Sequence, residues 1–135
     1  MPTILVDECI DGYADDLVGL ANDPFWQEFR DALGLQFVRF RHIGLPNGSE
    51  DRVVWQVCRT QRYLLITNNR NCDGPDSLGV LIQTEMGEDA PLVFTIGNMD
   101  RFDSDPSYAR NVIEKLYSYL IDLEDCRNSG RLYLP

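Results

Sequence analysis

The chain is poor in two residue types on which many enzymes depend, because it contains one lysine, Lys115, and one histidine, His42. A single histidine excludes a multi-histidine metal site within one chain and leaves little basis for histidine-based catalysis. Three motifs are also absent: the Gly-x-Ser-x-Gly nucleophile elbow, the glycine-rich phosphate loop and the Gly-x-Gly-x-x-Gly dinucleotide fingerprint. Acyl transfer, P-loop phosphate binding and dinucleotide binding therefore find little support in the sequence.

Long apolar runs and paired cysteine motifs are missing as well. No apolar run approaches the roughly 18–20 residues that span a bilayer. The first eight residues contain no basic region, and their apolar run ends at Asp7 and Glu8, which is unlike a signal peptide. The four cysteines show no Cys-x-x-Cys spacing and are interpreted as reduced thiols. We expect a cytoplasmic protein without a membrane partner, folded as one domain over residues 1–135.

The charge of the chain is negative overall and unevenly distributed. A formal net charge of −10 disfavours passive binding to nucleic acid. Residues 39–70, however, contain six arginines against Glu50 and Asp51, which leaves +4 on that segment and −14 on the rest of the chain. Two interpretations stay open: a local face that contacts phosphate, or arginines that pair with acids elsewhere in the fold.

Short apolar stretches alternate with segments of helical spacing. Strands are predicted at Thr3–Val6, Gln36–Arg41, Tyr63–Thr67, Leu92–Ile96 and Leu132–Leu134. Helices are predicted to begin near Asp11, Pro24, Ser49, Pro75 and Pro106, and residues 97–105 are predicted to be a polar loop. Strands that alternate with helices imply crossover connections. The pattern therefore predicts an α/β fold with a mostly parallel sheet of about four or five strands.

Oxygen-bearing side chains follow the predicted first and third strands. Because the carboxyl ends of parallel strands meet at one edge of the sheet, we expect up to five carboxylates to gather there. Crowded carboxylates repel one another and need a cation or raised pKa values, and Mg²⁺ or Mn²⁺ prefers such oxygen ligands. The candidate metal ligands are Asp7, Glu8, Asp51, Asn69, Asp73 and Asp76, and the candidate catalytic acids among them are Asp7, Asp51, Asp73 and Asp76.

Each acid also has a structural interpretation. Asp51 and Asp76 lie in the first turns of predicted helices, where a negative side chain complements the helix dipole. Asp7 ends a strand and could cap the following turn. A receiver-type phosphoacceptor likewise carries acids after its first strand, but it needs a lysine at the same edge, and Lys115 lies inside the last predicted helix.

Three short motifs in this order resemble the PIN-domain superfamily. They are Ile4-Leu5-Val6-Asp7-Glu8, then Gly44-Leu45 with Ser49-Glu50-Asp51, then Leu64-Leu65-Ile66-Thr67-Asn68-Asn69. The resemblance covers roughly residues 3–96 and is closest to a small, divergent PIN-like branch. It implies a three-layer α/β/α Rossmann-like fold and, for active members such as the toxins of toxin–antitoxin pairs, metal-dependent cleavage of RNA. It further implies that Asp7 is the first-strand ligand and Asp51 the acid at the next helix start.

The chain departs from that family at one motif. Where a Thr-x-Asp-x-Asp segment would supply two carboxylates, it carries Asn69 and Asn71. Either Asp73 and Asp76 replace the missing acids, or the site is degenerate. The leading hypothesis is a PIN-like, Mg²⁺- or Mn²⁺-dependent ribonuclease that acts on RNA and has an antitoxin or another protein as its partner. The alternative is a catalytically silent PIN-like module that binds protein or nucleic acid; a monomer and a homodimer are both compatible with the sequence.

Overall fold

A computed structural model describes residues 2–85, 87 and 89–135 of the chain. The strands are β1 (Thr3–Val6), β2 (Gln36–Arg39), β3 (Leu64–Thr67), β4 (Val93–Ile96) and β5 (Arg131–Leu134). The α-helices are α1 (Ala14–Ala21), α2 (Gln27–Leu33), α3 (Asp51–Gln61), α4 (Leu78–Thr84), α5 (Met99–Ser104), α6 (Pro106–Ile121) and α7 (Leu123–Cys126). Short 3₁₀ segments precede α1 and α2 and follow β2. Every predicted strand is present, within two residues of its predicted ends.

All five strands run parallel in the order β2-β1-β3-β4-β5, which confirms the predicted parallel sheet. In the central register, Leu5 lies beside Leu65, and Leu65 lies beside Val93. The direction in which the chain adds strands reverses between β1 and β3. In open parallel sheets, the crevice beyond the carboxyl ends at such a switch point is where ligands bind. The residues that follow β1 and β3 meet at this place.

The sheet is covered on both faces, so the fold is a three-layer α/β/α sandwich of Rossmann-like type. On the first face, Ile4, Ile66 and Phe94 pack with residues of α1 and α6. On the second face, Leu5 and Leu65 pack with residues of α3 and α4. Because side chains of a strand alternate between faces, a strand covered on both sides buries the residues of each face. This explains why all four residues of β3 are buried.

The last crossover differs from the first. The connection from β1 to β2 through α1 and the connection from β4 to β5 through α6 lie on the same face, yet they run toward opposite edges of the sheet. The two crossovers therefore have opposite hands, an exception to the strong preference for a right-handed one. With α6 on the first face, Arg131 and Tyr133 of β5 project from the second face and are half-buried and exposed, respectively.

The structure corrects three local predictions. The predicted polar loop at residues 97–105 contains α5, because the Asn98 side chain accepts a hydrogen bond from Arg101 N and Phe102 is buried. The helix predicted from Pro75 begins at Leu78, since Gly74 and Ser77 form a turn before it. The second strand ends at Arg39, two residues early, and gives way to a 3₁₀ turn.

No helix within residues 2–85, 87 and 89–135 is both long and apolar enough to cross a bilayer.

Candidate active site

Asp7 lies at the switch point, directly after β1. Its backbone N–H donates to Ile66 O at 3.0 Å, which continues the ladder between β1 and β3 by one residue. The residue is 9% exposed, and its Oδ2 accepts a hydrogen bond from Thr67 Oγ1 at 2.7 Å. Thr67 is the last residue of β3 and is fully buried. The Asp7 carboxylate is therefore fixed between the ends of the two central strands.

The Thr67 hydroxyl is the centre of a small hydrogen-bond network. Its proton goes to Asp7, so its oxygen must accept from its two other partners. These are the backbone N–H of Asn69 at 2.9 Å and the thiol of Cys9 at 3.3 Å. The network ties the first residues after β1 to the first residues after β3 and leaves Thr67 without a free lone pair.

Burial raises the pKa of the Asp7 carboxyl above its ordinary value, and the nearby negative charge of Asp51 raises this pKa further. The hydrogen bond from Thr67 acts in the opposite direction but does not offset the burial. No arginine or lysine is among the groups that shift this pKa. Asp7 is thus a buried carboxylate that lacks a positive partner among the described residues and has a second carboxylate close by, an arrangement that a bound cation would stabilise.

Asp51, the first residue of α3, is held by two donors. Asn69 Nδ2 donates to both of its carboxylate oxygens, at 3.2 and 3.1 Å, and Leu78 N donates to Oδ2 at 2.9 Å. Leu78 is the first residue of α4, so Asp51 caps a helix other than its own. Asp51 also lies in the first turn of its own helix, as its structural interpretation expects. The contact with Asn69 brings Asp51 to the Asp7 network as well.

The loop after β3 is shaped by its asparagines. Asn69 Oδ1 accepts from Asn71 N at 2.9 Å, and Asn71 Oδ1 accepts from Asp73 N at 3.0 Å, so two side-chain turns follow one another. The loop is joined to α4 because Gly79 N donates to Asn71 O at 2.9 Å. The amide oxygens of both asparagines are thus used by the backbone, and the amide group of Asn69 orients Asp51.

The other predicted ligands have different surroundings. The Glu8 carboxylate accepts from Gly48 N at 3.0 and 2.8 Å and holds the turn before α3. Asp76 forms an ion pair with Arg52. Asp73 is exposed on the loop. The structure therefore brings Asp7, Asp51 and Asn69 together, while Glu8 and Asp76 are engaged by other groups.

The donor set can be compared with what a divalent cation needs. Within residues 2–85, 87 and 89–135, no group of three or more histidine, cysteine or acidic side chains is placed to hold a metal ion. Two carboxylates remain at the switch point, those of Asp7 and Asp51. Mg²⁺ in phosphoryl-transfer sites is commonly bound through one or two carboxylates, with waters and substrate phosphates as the other ligands. This pair of hard oxygen donors fits that kind of site.

The six arginines of residues 39–70 were interpreted either as a face that contacts phosphate or as partners of acids, and the structure shows three of them in ion pairs. Arg39, Arg52 and Arg59 pair with carboxylates, whereas Arg41, Arg62 and Arg70 form no ion pair with a described carboxylate.

The sequence did not indicate Arg131, whose Nη1 donates to Asn69 O at 2.8 Å. No local signal could have indicated it, because Arg131 lies 62 residues from its partner along the chain. Thr67 carried a signal, since a hydroxyl residue ends an apolar strand just before the asparagines.

Known proteins do not supply a function. No family model matches the chain, and neither a curated protein nor a solved structure matches it. Since fold does not determine function, the chemistry of this protein depends on the side chains at the switch point.

Proposed function

We propose that the chain is a PIN-like ribonuclease dependent on Mg²⁺ or Mn²⁺, the toxin half of a toxin–antitoxin pair, with its metal held by Asp7 and Asp51. One observation carries the proposal: a buried carboxylate with a raised pKa, no described basic partner and a second carboxylate nearby lies at the ligand-binding position of a parallel sheet. The PIN resemblance and RNA as substrate are part of the proposal and rest on the sequence motifs.

Each residue has a stated part in this proposal. Asp7 and Asp51 would hold the cation, which would activate a water molecule and stabilise charge on a phosphodiester. Thr67 holds the Asp7 carboxylate in place through its hydroxyl. Asn69 holds Asp51 through its amide group and so sets the spacing of the two acids.

The variant Asn69→Asp tests the metal site through stability. It would place a second carboxylate against the Asp51 oxygens in place of a donor. Without metal, we expect the free energy of unfolding to fall by about 1–3 kcal/mol, because a hydrogen bond becomes a charge repulsion. Saturating Mn²⁺ should restore this loss, and calorimetry should show Mn²⁺ affinity raised by roughly tenfold or more, equivalent to about 1.4 kcal/mol.

Asn71→Asp is the matched control for that test. Asn71 is exposed on the same loop, and its side chain contacts the backbone of Asp73 instead of Asp51. We expect the control to change stability and Mn²⁺ affinity little. An Asn69→Asp protein that Mn²⁺ neither binds nor stabilises would contradict the assignment of a metal to this place.

A second candidate function, a noncatalytic protein-binding module, is favoured by a groove between α1 and α6. The groove has a volume of about 850 Å³, and Phe25 on its lining is 75% exposed. Its acidic lining residues, against the single base Arg110, are Asp15, Asp16, Asp23, Asp103 and Glu114. An apolar floor with an acidic rim fits a basic amphipathic helix of a partner, and the like charges disfavour pairing with a second copy through this face.

Trp26 provides a measurement for this second candidate, because it lines the groove. Titration with a leucine- and lysine-rich amphipathic peptide should change tryptophan fluorescence. Phe25→Ala should weaken binding by roughly tenfold, the range of an interface anchor. If the peptide left the fluorescence unchanged, or bound the unmodified chain and Phe25→Ala equally, a docking role for the groove would be contradicted.

A further inference from the structure

Arg131 has no carboxylate partner among the residues that the structure describes, although the protein is acidic overall. Its half-buried guanidinium donates from Nη1 to Asn69 O at 2.8 Å and to Thr95 Oγ1 at 2.6 Å. Among the described residues, Nε and Nη2 make no hydrogen bond and no carboxylate forms an ion pair with this side chain. The Nε and Nη2 groups of the Arg131 guanidinium, which its Nη1 contacts hold in place, can therefore donate to another partner.

A second positive charge lies on the same loop, because Arg70 directly follows Asn69, whose carbonyl accepts from Arg131. Burial lowers the pKa of the Arg131 guanidinium, Tyr133 acts in the opposite direction, and the positive charge of Arg70 lowers this pKa further. Arg70 is exposed on the loop after β3 and has no ion pair with a described carboxylate. By contrast, Arg39, Arg52 and Arg59 each face an acid. Two neighbouring like charges, one partly desolvated, create a place where an anion is stabilised.

An exposed aromatic ring lies on the same face of the sheet. Thr95 pairs with Tyr133 across β4 and β5, and Val93 pairs with Arg131, so Arg131 and Tyr133 project from the same side. Tyr133 is 49% exposed. Arginine binds phosphate oxygens bidentately, and an exposed tyrosine offers a surface on which a base stacks. The combination matches a nucleotide better than a bare inorganic anion.

We propose that Arg131 and Arg70 bind a backbone phosphate of single-stranded RNA, with an adjacent base stacked on Tyr133. Asn69 connects this place to the candidate active site, since its carbonyl accepts from Arg131 and its amide group donates to Asp51. A strand that runs across the switch point can thus contact both. The choice of RNA as ligand rests on the proposed function, whereas binding of a phosphate does not.

Fluorescence anisotropy with a labelled single-stranded RNA in EDTA tests this proposal without cleavage. Arg131→Gln and Arg70→Gln should each weaken binding by roughly tenfold and reduce the salt dependence by about 0.7 per arginine, the value for one lost phosphate contact on a single strand. Tyr133→Ala should weaken it by roughly fivefold or more, as expected for a lost stacking contact. Arg127→Gln is the control, because Arg127 pairs with Glu124 at the surface, and it should bind like the unmodified chain.

The outcomes separate this inference from the proposed nuclease. Arg70 makes no ion pair with a described acid, so Arg70→Gln is expected to fold normally, and a folded Arg70→Gln protein with unchanged affinity and salt dependence overturns the inference. Displacement of the RNA by inorganic phosphate at equal phosphate concentration assigns a small-phosphate site and overturns RNA as the ligand. Weakened binding by the arginine variants without any metal-dependent cleavage supports the site and overturns the nuclease. If cleavage is lost only in Asp7→Asn and the arginine variants bind RNA normally, the nuclease is supported and the Arg131 site is overturned.

Discussion

Replacing Asp7 with asparagine is expected to abolish Mn²⁺ binding while leaving the metal-free protein at least as stable at pH 7 as the unmodified chain. The side chains have the same shape, and the amide oxygen can still accept the Thr67 hydroxyl hydrogen bond. What is removed is a buried negative charge close to Asp51. Thermal unfolding in EDTA should show an equal or higher Tm, and calorimetry should show no Mn²⁺ binding.

The pH dependence of this effect has a definite sign. Since the pKa of Asp7 is raised in the folded protein, the folded state holds its proton more tightly than the unfolded state. Stability from this group is complete at low pH and is lost as pH rises from the ordinary value of 3.8 through the raised pKa. The Tm advantage of Asp7→Asn should therefore be absent in acid and increase with pH. Asp73→Asn, on the exposed loop, is the control, and its Tm should change little. If Asp7→Asn were less stable than the unmodified chain at pH 7, the claim that the Asp7 carboxylate lacks a compensating positive charge would be contradicted.

Gly79→Ala is expected to cause a large loss of stability near the site. A Cβ at this position would lie 2.8 Å from Asn71 O and 2.9 Å from the Cys72 Cβ. The loop must move away, which breaks the Gly79 to Asn71 hydrogen bond and displaces Asn69 from Asp51. The expected loss is about 2–3 kcal/mol, the upper range for an overpacked contact. Urea unfolding measures it, and Mn²⁺ affinity should fall as well.

Gly19→Ala is the matched control for the packing argument. Gly19 lies within α1, and nothing lies within 4 Å of a Cβ built there. Alanine should stabilise that helix by about 0.5–1 kcal/mol. If both substitutions had the same effect on stability, the close approach of the loop to α4 would not be the cause.

The sheet could be predicted because its pattern is local. The run Leu64-Leu65-Ile66 is apolar on both faces, and the polar segments that alternate with such runs require crossovers. By contrast, α5 was missed because its single buried anchor, Phe102, lies among charged residues. The opposite hand of the last crossover was also beyond local patterns, since it depends on which face α6 covers.

The sequence could predict only those site residues whose position follows from the order and direction of the strands. Asp7 follows the central strand, so a parallel sheet places it at the carboxyl edge whatever the side-chain packing. The fate of Asp76 depends instead on whether Arg52 of a neighbouring helix reaches it, which is a matter of tertiary geometry. The same is true of Arg131, which meets Asn69 only after β5 has joined the sheet.

The central claim is that the carboxylates of Asp7 and Asp51 bind a metal ion that supports RNA cleavage. The most direct test incubates a labelled pool of mixed single-stranded RNA with the unmodified chain and with Asp7→Asn, each in Mn²⁺, Mg²⁺ and EDTA. The account predicts cleavage by the unmodified chain with metal, none in EDTA, and a loss of at least roughly 100-fold in Asp7→Asn, the scale of removing a charge-stabilising catalytic group. Absence of metal-dependent cleavage, or equal cleavage by Asp7→Asn, would contradict it.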